Sequence, residues 1–256
     1  MANTAPIFLT VVALLAATVT SSTSAADAVF ATATPPASIP LFSNQSIGTA
    51  PKNWVFQAAR NAPNPTKYAL VRDDELAATV LEGSANAAAG ALIYRFDGDA
   101  RVSSILRFKW KVGGLIASSD PRTKGGDDYV ARIYVTFAFD PERTTIREKT
   151  ENAVAQVLYG ETPPHAALSY VFTQKAALGT LITSPYTQRV KKIVVDADPA
   201  SVGKWKSFTR DIYDDYKRAF GEEPTRISGI AIMVDTDNTG ETTSARFGDV
   251  TLSSRP

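Results

Sequence analysis

The chain contains no cysteine and a single histidine, His165, among its 256 residues. The absence of cysteine excludes disulfides, thiol nucleophiles and thiolate metal centres, so the fold must be stabilised by its core alone. One imidazole cannot build a multi-histidine zinc or iron centre. Because His165 follows two prolines in "ETPPHAAL", we expect it to be a surface loop residue without a functional role.

A large net charge is also missing. The 27 Lys and Arg against 26 Asp and Glu leave a formal net charge of +1. There is therefore no global attraction to nucleic acid or to anionic lipid, and recognition of any charged ligand must be local. The GxSxG and phosphate-loop motifs are absent as well, which removes the common nucleophile-dependent and nucleotide-dependent enzyme classes.

Long apolar runs are absent except at the start of the chain. Residues 7–19 are apolar, too short for a comfortable membrane span, and followed by the small residues of "SSTSAAD", which is typical of a secretory signal cleaved near Ala26. The lack of Lys or Arg before Lys52 leaves an uncleaved anchor or a merely hydrophobic N-terminus as alternatives. We predict a signal peptide over 1–26, a flexible lead-in over 27–50, and one domain over 51–256, located in the periplasm or outside the cell without a stable membrane span.

Alternating apolar and polar residues predict strands along the whole mature chain. The segment "ILRFKWKV" (105–112) presents one core face and one cationic face, and "YVARIYVTFAF" (129–139) repeats this pattern. Since no strand–helix–strand alternation is visible, we expect a mostly β domain built as an antiparallel β-sandwich. Shorter predicted strands cover 76–81, 91–96, 167–172, 189–195, 228–234 and 246–252.

Two helices are predicted between the strands. The first begins at Thr144 or Thr145 and ends at Gly160. The second lies in "FTRDIYDDYKRAFG", with Asp211 in its first turn and Gly221 at its end.

The blocks "LRFKWKV", "KGGDDYVARIYVTF", "SPYTQRVKKIVV", "DDYKRAFGEEP" and "GIAIMVDTDNTGE" followed by "ARFGDVTL" resemble the bacterial domain-of-unknown-function family 3047. The resemblance runs in order from about Trp54 to Leu252, and it implies an exported location but no particular activity. The closing pattern of an apolar strand, a polar turn and a last strand is also similar to galactose-binding-like jelly rolls, which implies a jelly-roll-like sandwich.

The segment "DTDNTGE" partly matches an EF-hand calcium loop. Counted from Asp235, such a loop needs oxygen ligands at positions 1, 3 and 5, a Gly at position 6 and a bidentate Glu at position 12. Asp235, Asp237, Thr239 and Gly240 comply, but position 12 is Arg246. A cation there repels calcium, so the segment is not an EF-hand.

Two interpretations of this segment remain. "DNTG" is typical of a hairpin turn with a Gly at positive φ, which would join 228–234 to the last strand. A calcium site of another geometry, with backbone carbonyls and Asp249, stays open. Phe247 and Val250 are apolar but of opposite parity, so a bulge at Gly248 or Asp249 would be needed to turn both inward.

Two neighbouring carboxylates, Asp127 and Asp128, precede the strand at 129–139. Consecutive strand residues point to opposite faces, so the two are not expected to act as one acid/base pair. They border a cationic and aromatic face if the strands at 105–112 and 129–139 pair. Alternatively, one Asp caps backbone N–H groups and the other pairs with Arg or Lys.

The sequence therefore predicts a non-catalytic domain that binds a glycan or another small polar or anionic ligand through charge-assisted hydrogen bonds and ring stacking. A polysaccharide lyase or hydrolase using carboxylates, and a structural envelope protein, are the alternatives. No cofactor is predicted apart from the calcium left open above. The candidate ligand-binding residues are Lys109, Lys111, Asp127, Asp128, Arg132, Tyr134, Asp235, Asp237, Asn238, Arg246 and Asp249.

Overall fold

Thirteen strands and one α-helix lie in the residues that the computed structural model describes, 38–59, 61–143 and 164–255. The predicted signal peptide and the helix from Thr144 or Thr145 to Gly160 lie outside these residues. The strands are β1 (Val55–Ala58), β2 (Lys67–Asp73), β3 (Ala78–Asn86), β4 (Gly90–Gly98), β5 (Ser103–Val112), β6 (Tyr129–Phe137), β7 (Ala166–Phe172), β8 (Leu181–Thr183), β9 (Val190–Asp196), β10 (Lys206–Asp211), β11 (Ile227–Asp235), β12 (Thr242–Phe247) and β13 (Thr251–Ser254); the helix is α1 (Ile212–Phe220). No helix of the described segments is long and apolar enough to cross a membrane.

The strands form two sheets. One has seven strands in the order β1-β4-β11-β6-β7-β9-β8, and the other has the order β10-β5-β12-β3-β2 with β13 also paired to β5. All pairs are antiparallel except β7 with β9. The fold is thus mostly β with mostly antiparallel strands, as the sequence predicts.

Both sheets contribute to one hydrophobic core. The apolar residues of β5 that alternate with its cations, among them Phe108 and Trp110, are buried in the same cluster as Tyr170 of β7 and Ile232 of β11. The rings of Phe108 and Tyr170 lie 5.8 Å apart, which is a direct contact between the two sheets. The alternation in "ILRFKWKV" therefore has the predicted structural meaning.

The seven-stranded sheet has a second buried face. Every residue of β6 is buried, and a separate apolar cluster on this face contains Ile93, Tyr134 and Met233. The central strands β6 and β11 are nearly continuous apolar runs, which is typical of strands covered on both sides. A charged residue on this face must therefore find its partners inside the protein.

Helix α1 begins and ends where its sequence signals indicate. The Asp211 side chain accepts hydrogen bonds from the backbone N–H groups of Tyr213 (3.1 Å) and Asp214 (3.3 Å), so Asp211 is the N-cap rather than a first-turn residue. Gly221 ends the helix at φ 73°, a conformation that favours glycine. The quoted segment begins four residues before the helix, because 208–211 belong to β10, paired with β5.

The predicted last strand at 246–252 is divided into β12 and β13. Phe247 pairs with Trp110 of β5, whereas Thr251 pairs with Arg107, so four steps along one chain match three along the other. The extra residue acts as the predicted bulge, because it lets Phe247 and Val250, which have opposite parity, both be buried.

His165 is buried, with 5% of its surface exposed, and the expectation of a surface loop residue is wrong. Its backbone N–H donates to the carbonyl of Phe137, which ties the residue to β6 at the start of β7. Its Nε2 lies 3.2 Å from Nη1 of Arg189 and 3.3 Å from Oε1 of Glu222. Burial, followed by the charge of Arg189, lowers the pKa of His165 below its usual 6.5, against the opposing effect of Glu222.

We therefore expect the single histidine to titrate below 6.5 in the folded protein and near 6.5 in urea, as followed by its imidazole NMR signals. The unfolded state then binds more protons, so His165 lowers stability as the pH falls through about 6.5. Glu222→Gln should lower the pKa further, because Glu222 favours the charged imidazole. A folded-state midpoint at or above 6.5 would show that the contact with Glu222 outweighs burial.

Candidate functional site

Ten residues form a polar cluster at one end of the second buried face of the seven-stranded sheet. They come from β6 and the loop before it, from β9, from the loop between β8 and β9, and from the end of β11 and the loop after it. The polar cluster consists of Asp127, Asp128, Tyr129, Arg132, Tyr134, Tyr186, Lys192, Asp235, Asp237 and Asn238.

A shift of register places Tyr129 and Arg132 on the same face. Asp235 pairs with Tyr129 and Met233 with Arg132, so two steps along β11 match three along β6. This irregularity turns Tyr129 away from the core face that strict alternation gives it. The guanidinium carbon of Arg132 consequently lies 4.7 Å from the centre of the Tyr129 ring.

Arg132 and Asp235 form a buried ion pair. Nη2 of Arg132 donates to Oδ2 of Asp235 and, at 3.4 Å, to the backbone carbonyl of Asp127. The exposed fractions of the two side chains are 3% and 0%. The Arg132 guanidinium also lies 5.7 Å from the ring of Tyr134, and such contacts with aromatic faces stabilise a desolvated cation.

Lys192 and Asp127 form a second buried ion pair. Nζ of Lys192 donates to Oδ1 of Asp127 and, at 3.1 Å, to the carbonyl of Pro121, and it lies 5.3 Å from the ring of Tyr129. Burial lowers the pKa of Lys192 to about 8, although the Asp127 carboxylate opposes this shift. Burial likewise raises the pKa of Asp127 against the charges of Lys192 and Arg132.

Asp128 holds the loop that follows β11. Its carboxylate accepts hydrogen bonds from the backbone N–H (3.3 Å) and side-chain amide (2.9 Å) of Asn238 and from the backbone N–H of Thr239 (2.7 Å). The alternative expectation for the two neighbouring acids is thus confirmed, because Asp128 caps backbone N–H groups and Asp127 pairs with a lysine.

The loop after β11 is a turn but not a hairpin. Gly240 has φ 73° and donates its N–H to the carbonyl of Thr236 at 2.8 Å, as the turn signal predicts. However, β11 belongs to the seven-stranded sheet and β12 to the six-stranded one, so the predicted hairpin is wrong. The loop crosses between the sheets, and Asn238 and Thr239 within it are held by Asp128, next to β6.

Several polar atoms of the cluster are buried without a hydrogen-bond partner among the residues that the structure describes. They are Nε and Nη1 of Arg132, the hydroxyl of Tyr129, Oδ1 of Asp235 and both carboxylate oxygens of Asp237. Buried polar atoms are rarely left in this state, because each costs about 1–3 kcal/mol. Burial, and then the Asp128 carboxylate, raise the pKa of Asp237 to about 6.

The cluster reaches the surface through a half-buried rim. Asp237, Asn238 and Tyr186 are neither fully buried nor fully exposed. The Tyr186 hydroxyl donates to the carbonyl of Lys124 at 2.9 Å and to Oδ1 of Asn238 at 3.4 Å. The rim is therefore the place where a ligand would meet both a ring and an amide.

Negative charge is in excess within the polar cluster. Asp127, Asp128, Asp235 and Asp237 carry four formal negative charges, and Arg132 and Lys192 carry two positive ones, which leaves two negative charges. The cluster is therefore suited to neutral hydrogen-bonding groups or to cations rather than to anions.

Four predicted site residues lie elsewhere, and the predicted cationic face does not form. It required β5 and β6 to pair, but the two strands are in different sheets. Lys109 and Lys111 of β5 are thus separated from Arg132 and Tyr134, which share the polar cluster.

Three of the four displaced residues have structural partners. Lys111 pairs with Glu75 (2.8 Å), and Arg246 pairs with Glu82 (2.8 Å) and Asp73 (2.9 Å) in the six-stranded sheet. Asp249 accepts hydrogen bonds from the backbone N–H (3.0 Å) and hydroxyl (2.6 Å) of Ser43. Asp249 therefore orders the segment near the start of the domain, and it is not among the three described carboxylates, Asp128, Asp235 and Asp237, that lie within 4.8 Å of one another.

Sequence reasoning missed three members of the cluster. Lys192 lies in "RVKKIVV", where two adjacent lysines are typical of a solvated surface, yet its side chain is 0% exposed. Tyr129 was assigned to the core face because the register shift is invisible in the sequence. Tyr186 lies in a loop, and the only signal for it in the sequence is its position within "SPYTQR".

Comparison with known proteins identifies a family. The sequence model of the family described as "Protein of unknown function (DUF3047)" matches residues 52–251. No curated protein matches the chain.

Several solved structures are similar to the chain at low identity. The xyloglucanase domain of NopAA, a type three effector from Sinorhizobium fredii in complex with cellobiose, is 7% identical, with 79% of this chain and 93% of that chain covered and a TM-score of 0.41. The carbohydrate recognition domain of Emp47p is 12% identical, with 85% of this chain and 94% of that chain covered and a TM-score of 0.35. The enzymatically active domain of Bacteriophage CBA120 tailspike protein 4 is 9% identical, with 80% of this chain and 20% of that chain covered and a TM-score of 0.39. This chain therefore spans a fifth of the length of that chain. At these TM-scores the similarities carry no argument about function.

Proposed function

The chain belongs to the family described as "Protein of unknown function (DUF3047)", and from that premise we propose that it is an exported, non-catalytic domain that binds a neutral glycan at the polar cluster. The two sheets would form an antiparallel β-sandwich of jelly-roll type, and their shared core supports this arrangement. The apolar run at 7–19 supports export to the periplasm or the cell exterior.

One observation carries the proposal. Seven of the eleven predicted site residues, from two separate parts of the sequence, meet at one end of a sheet face, and this cluster holds the unpartnered buried atoms of Arg132, Asp235 and Asp237. A purely structural network favours full pairing, because an unpaired group at low dielectric is costly. Sugar hydroxyls both donate and accept hydrogen bonds, so at the half-buried rim they can pair with the Asp237 carboxylate and the Asn238 amide.

A neutral ligand fits better than an anionic one. The anionic alternative depended on Lys109 and Lys111, which belong to the other sheet. Without them the polar cluster has two excess negative charges, and a sugar carboxylate placed there would be repelled.

The rim supplies the aromatic contact that sugar recognition commonly uses. Tyr186 is half-buried beside Asn238, and its hydroxyl is fixed by two acceptors. A ring held in this way offers a face for a sugar while losing little conformational freedom on binding. Tyr129 and Tyr134 are buried beneath Arg132, so their role is to support the cation.

The arrangement of the carboxylates favours binding over hydrolysis. A glycosidase needs two carboxyl groups that flank the scissile bond, one as acid and one as base or nucleophile. Asp237 has a raised pKa suited to an acid, but Asp128 and Asp235 are fully buried and already engaged by N–H groups and Arg132. A carboxylate held in this way is poorly placed to attack a sugar or activate water.

The test is a thermal-shift screen of the full chain against neutral and acidic oligosaccharides. A neutral ligand at about one hundred times its Kd should raise the melting midpoint by about 5–10 °C. Tyr186→Ala should abolish the shift. Tyr213→Ala, which removes a partly buried tyrosine from α1, should leave it unchanged.

Three outcomes would contradict the proposal. A shift from acidic sugars alone would place recognition outside the polar cluster. Release of shorter sugars from the oligosaccharide would show hydrolysis or lyase activity. No shift from any glycan would favour a structural envelope protein.

A further inference from the structure

We propose that Asp128, Asp235 and Asp237 bind a divalent cation, with calcium as the metal of choice. This inference goes beyond glycan binding and does not depend on it, since the metal site requires no sugar. One carboxylate oxygen from each of the three residues lies within 4.8 Å of the others. Two oxygens on opposite sides of one calcium ion are separated by about 4.6–5.2 Å, so the three fit within a single coordination shell.

The unpartnered oxygens point to a ligand independently of this clustering. Asp235 is 0% exposed, and its Oδ1 has no hydrogen-bond partner among the described residues, although Oδ2 is paired with Arg132. Both oxygens of Asp237 are likewise buried and unpartnered. A buried carboxylate with an unpartnered oxygen, in a group that approaches two other carboxylates this closely, needs a cation or a proton.

Asp128 is oriented as a metal ligand commonly is. Each of its oxygens accepts at least one N–H from Asn238 or Thr239, and a carboxylate has about four acceptor sites in all. These hydrogen bonds fix the carboxylate and leave it capable of binding a cation. Outer contacts of this kind orient ligands in metal sites.

The charge balance favours a dication. The polar cluster has two excess negative charges, which one divalent ion would neutralise. Its donors are oxygens only, the chain has no cysteine, and its single histidine lies in contact with Arg189 and Glu222 instead. Oxygen-only sites select hard cations such as calcium and magnesium over zinc or copper.

The site differs from an EF-hand in where its ligands originate. Position 12 of the loop counted from Asp235 is Arg246, which lies in the other sheet and pairs with Glu82. The third carboxylate comes instead from Asp128, which lies 107 positions before Asp235 in the sequence. Ligands from separate elements make the geometry adaptable, and calcium tolerates this better than magnesium does.

The test is isothermal titration calorimetry of the chelator-treated full chain with calcium chloride alone, without glycan. We expect one saturable site per chain and weaker binding of magnesium. Asp237→Asn should weaken calcium binding by about tenfold or more. Asp97→Asn is the matched control, because its 70% exposed carboxylate pairs with Arg226, outside the polar cluster, and it should bind calcium as the parent chain does.

Thermal melting separates a metal ligand from a structural acid. Calcium should raise the melting midpoint of the parent chain but not of Asp237→Asn. In chelator the variant should melt at or above the parent, since the substitution relieves repulsion between carboxylates.

Absence of saturable calcium binding by the parent chain, or equal affinity in Asp237→Asn, would overturn the proposal. Tighter binding of magnesium would overturn the choice of metal. Glycan binding that persists in chelator would leave the proposed function intact, so the two failures are distinguishable.

Discussion

Replacing Lys192 by methionine should lower the free energy of unfolding by about 3–5 kcal/mol. Methionine fills a similar volume but leaves the Asp127 carboxylate buried opposite an apolar side chain. Both partners are at most 1% exposed, so water cannot replace the lost ammonium group. Urea denaturation followed by far-UV circular dichroism measures the loss.

The matched control is Lys111→Met. Lys111 also forms a 2.8 Å ion pair, but its partner Glu75 is 56% exposed, and breaking such a pair costs less than about 1 kcal/mol. Adding Asp127→Asn to Lys192→Met should recover much of the stability, because it removes the stranded charge. Equal losses for the two lysine variants would contradict burial of the Lys192–Asp127 pair.

Replacing Trp110 by alanine should lower the free energy of unfolding by about 3–5 kcal/mol. The indole is fully buried in the core that both sheets share. Its ring lies 4.7 Å from that of Phe208, 5.4 Å from Phe108 and 6.5 Å from Phe247. Alanine would leave a cavity that three fixed strands cannot close. The same urea titration gives the size of the effect.

A smaller ring at this position should be tolerated much better. Trp110→Phe keeps most of the contacts and removes an indole N–H that has no partner among the described residues, so its cost should stay below about 2 kcal/mol. Leu178→Ala, at a side chain that is 69% exposed, should change stability by no more than about 0.5 kcal/mol. A loss below about 1 kcal/mol for Trp110→Ala would contradict a core that joins the two sheets.

The strands of this domain could be predicted from the sequence where one face is apolar and the other polar. The alternation in "ILRFKWKV" placed Phe108 and Trp110 in the core correctly. Strands without such a pattern were missed: β1 and β8 have only four and three residues, β2 carries three charges among seven residues, and β10 was absorbed into the helix pattern that follows it. Short segments like these are defined by their partners rather than by their own residues.

Pairing between strands could not be predicted in the same way. Periodicity shows which side of a strand is apolar, but it does not show which sheet the strand joins. The cationic face failed for this reason, because β5 and β6 are separately well patterned but belong to different sheets. The turn at Gly240 was identified from local chemistry, whereas its crossing between sheets depends on contacts distant in sequence.

The candidate site was largely predictable because its residues are unusual in their surroundings. Arg132 interrupts an apolar strand, and Asp127, Asp128, Asp235 and Asp237 lie at the ends of buried strands. A charge in such a position must be paired inside the protein or exposed by a bend. Lys192 gave no such signal, since "KK" at the start of a strand is common on solvated surfaces, and only the structure reveals its burial.

The most direct test of the proposed binding site is NMR chemical-shift mapping of the full chain titrated with the neutral oligosaccharide that gives the largest thermal shift. We expect saturable shifts that are centred on Tyr186, Asp237 and Asn238 and extend to Arg132. Amides of the six-stranded sheet around Lys111 and Arg246 should remain unchanged. Saturable shifts centred on Lys111 and Arg246, with none at Tyr186 or Asn238, would contradict binding at the polar cluster.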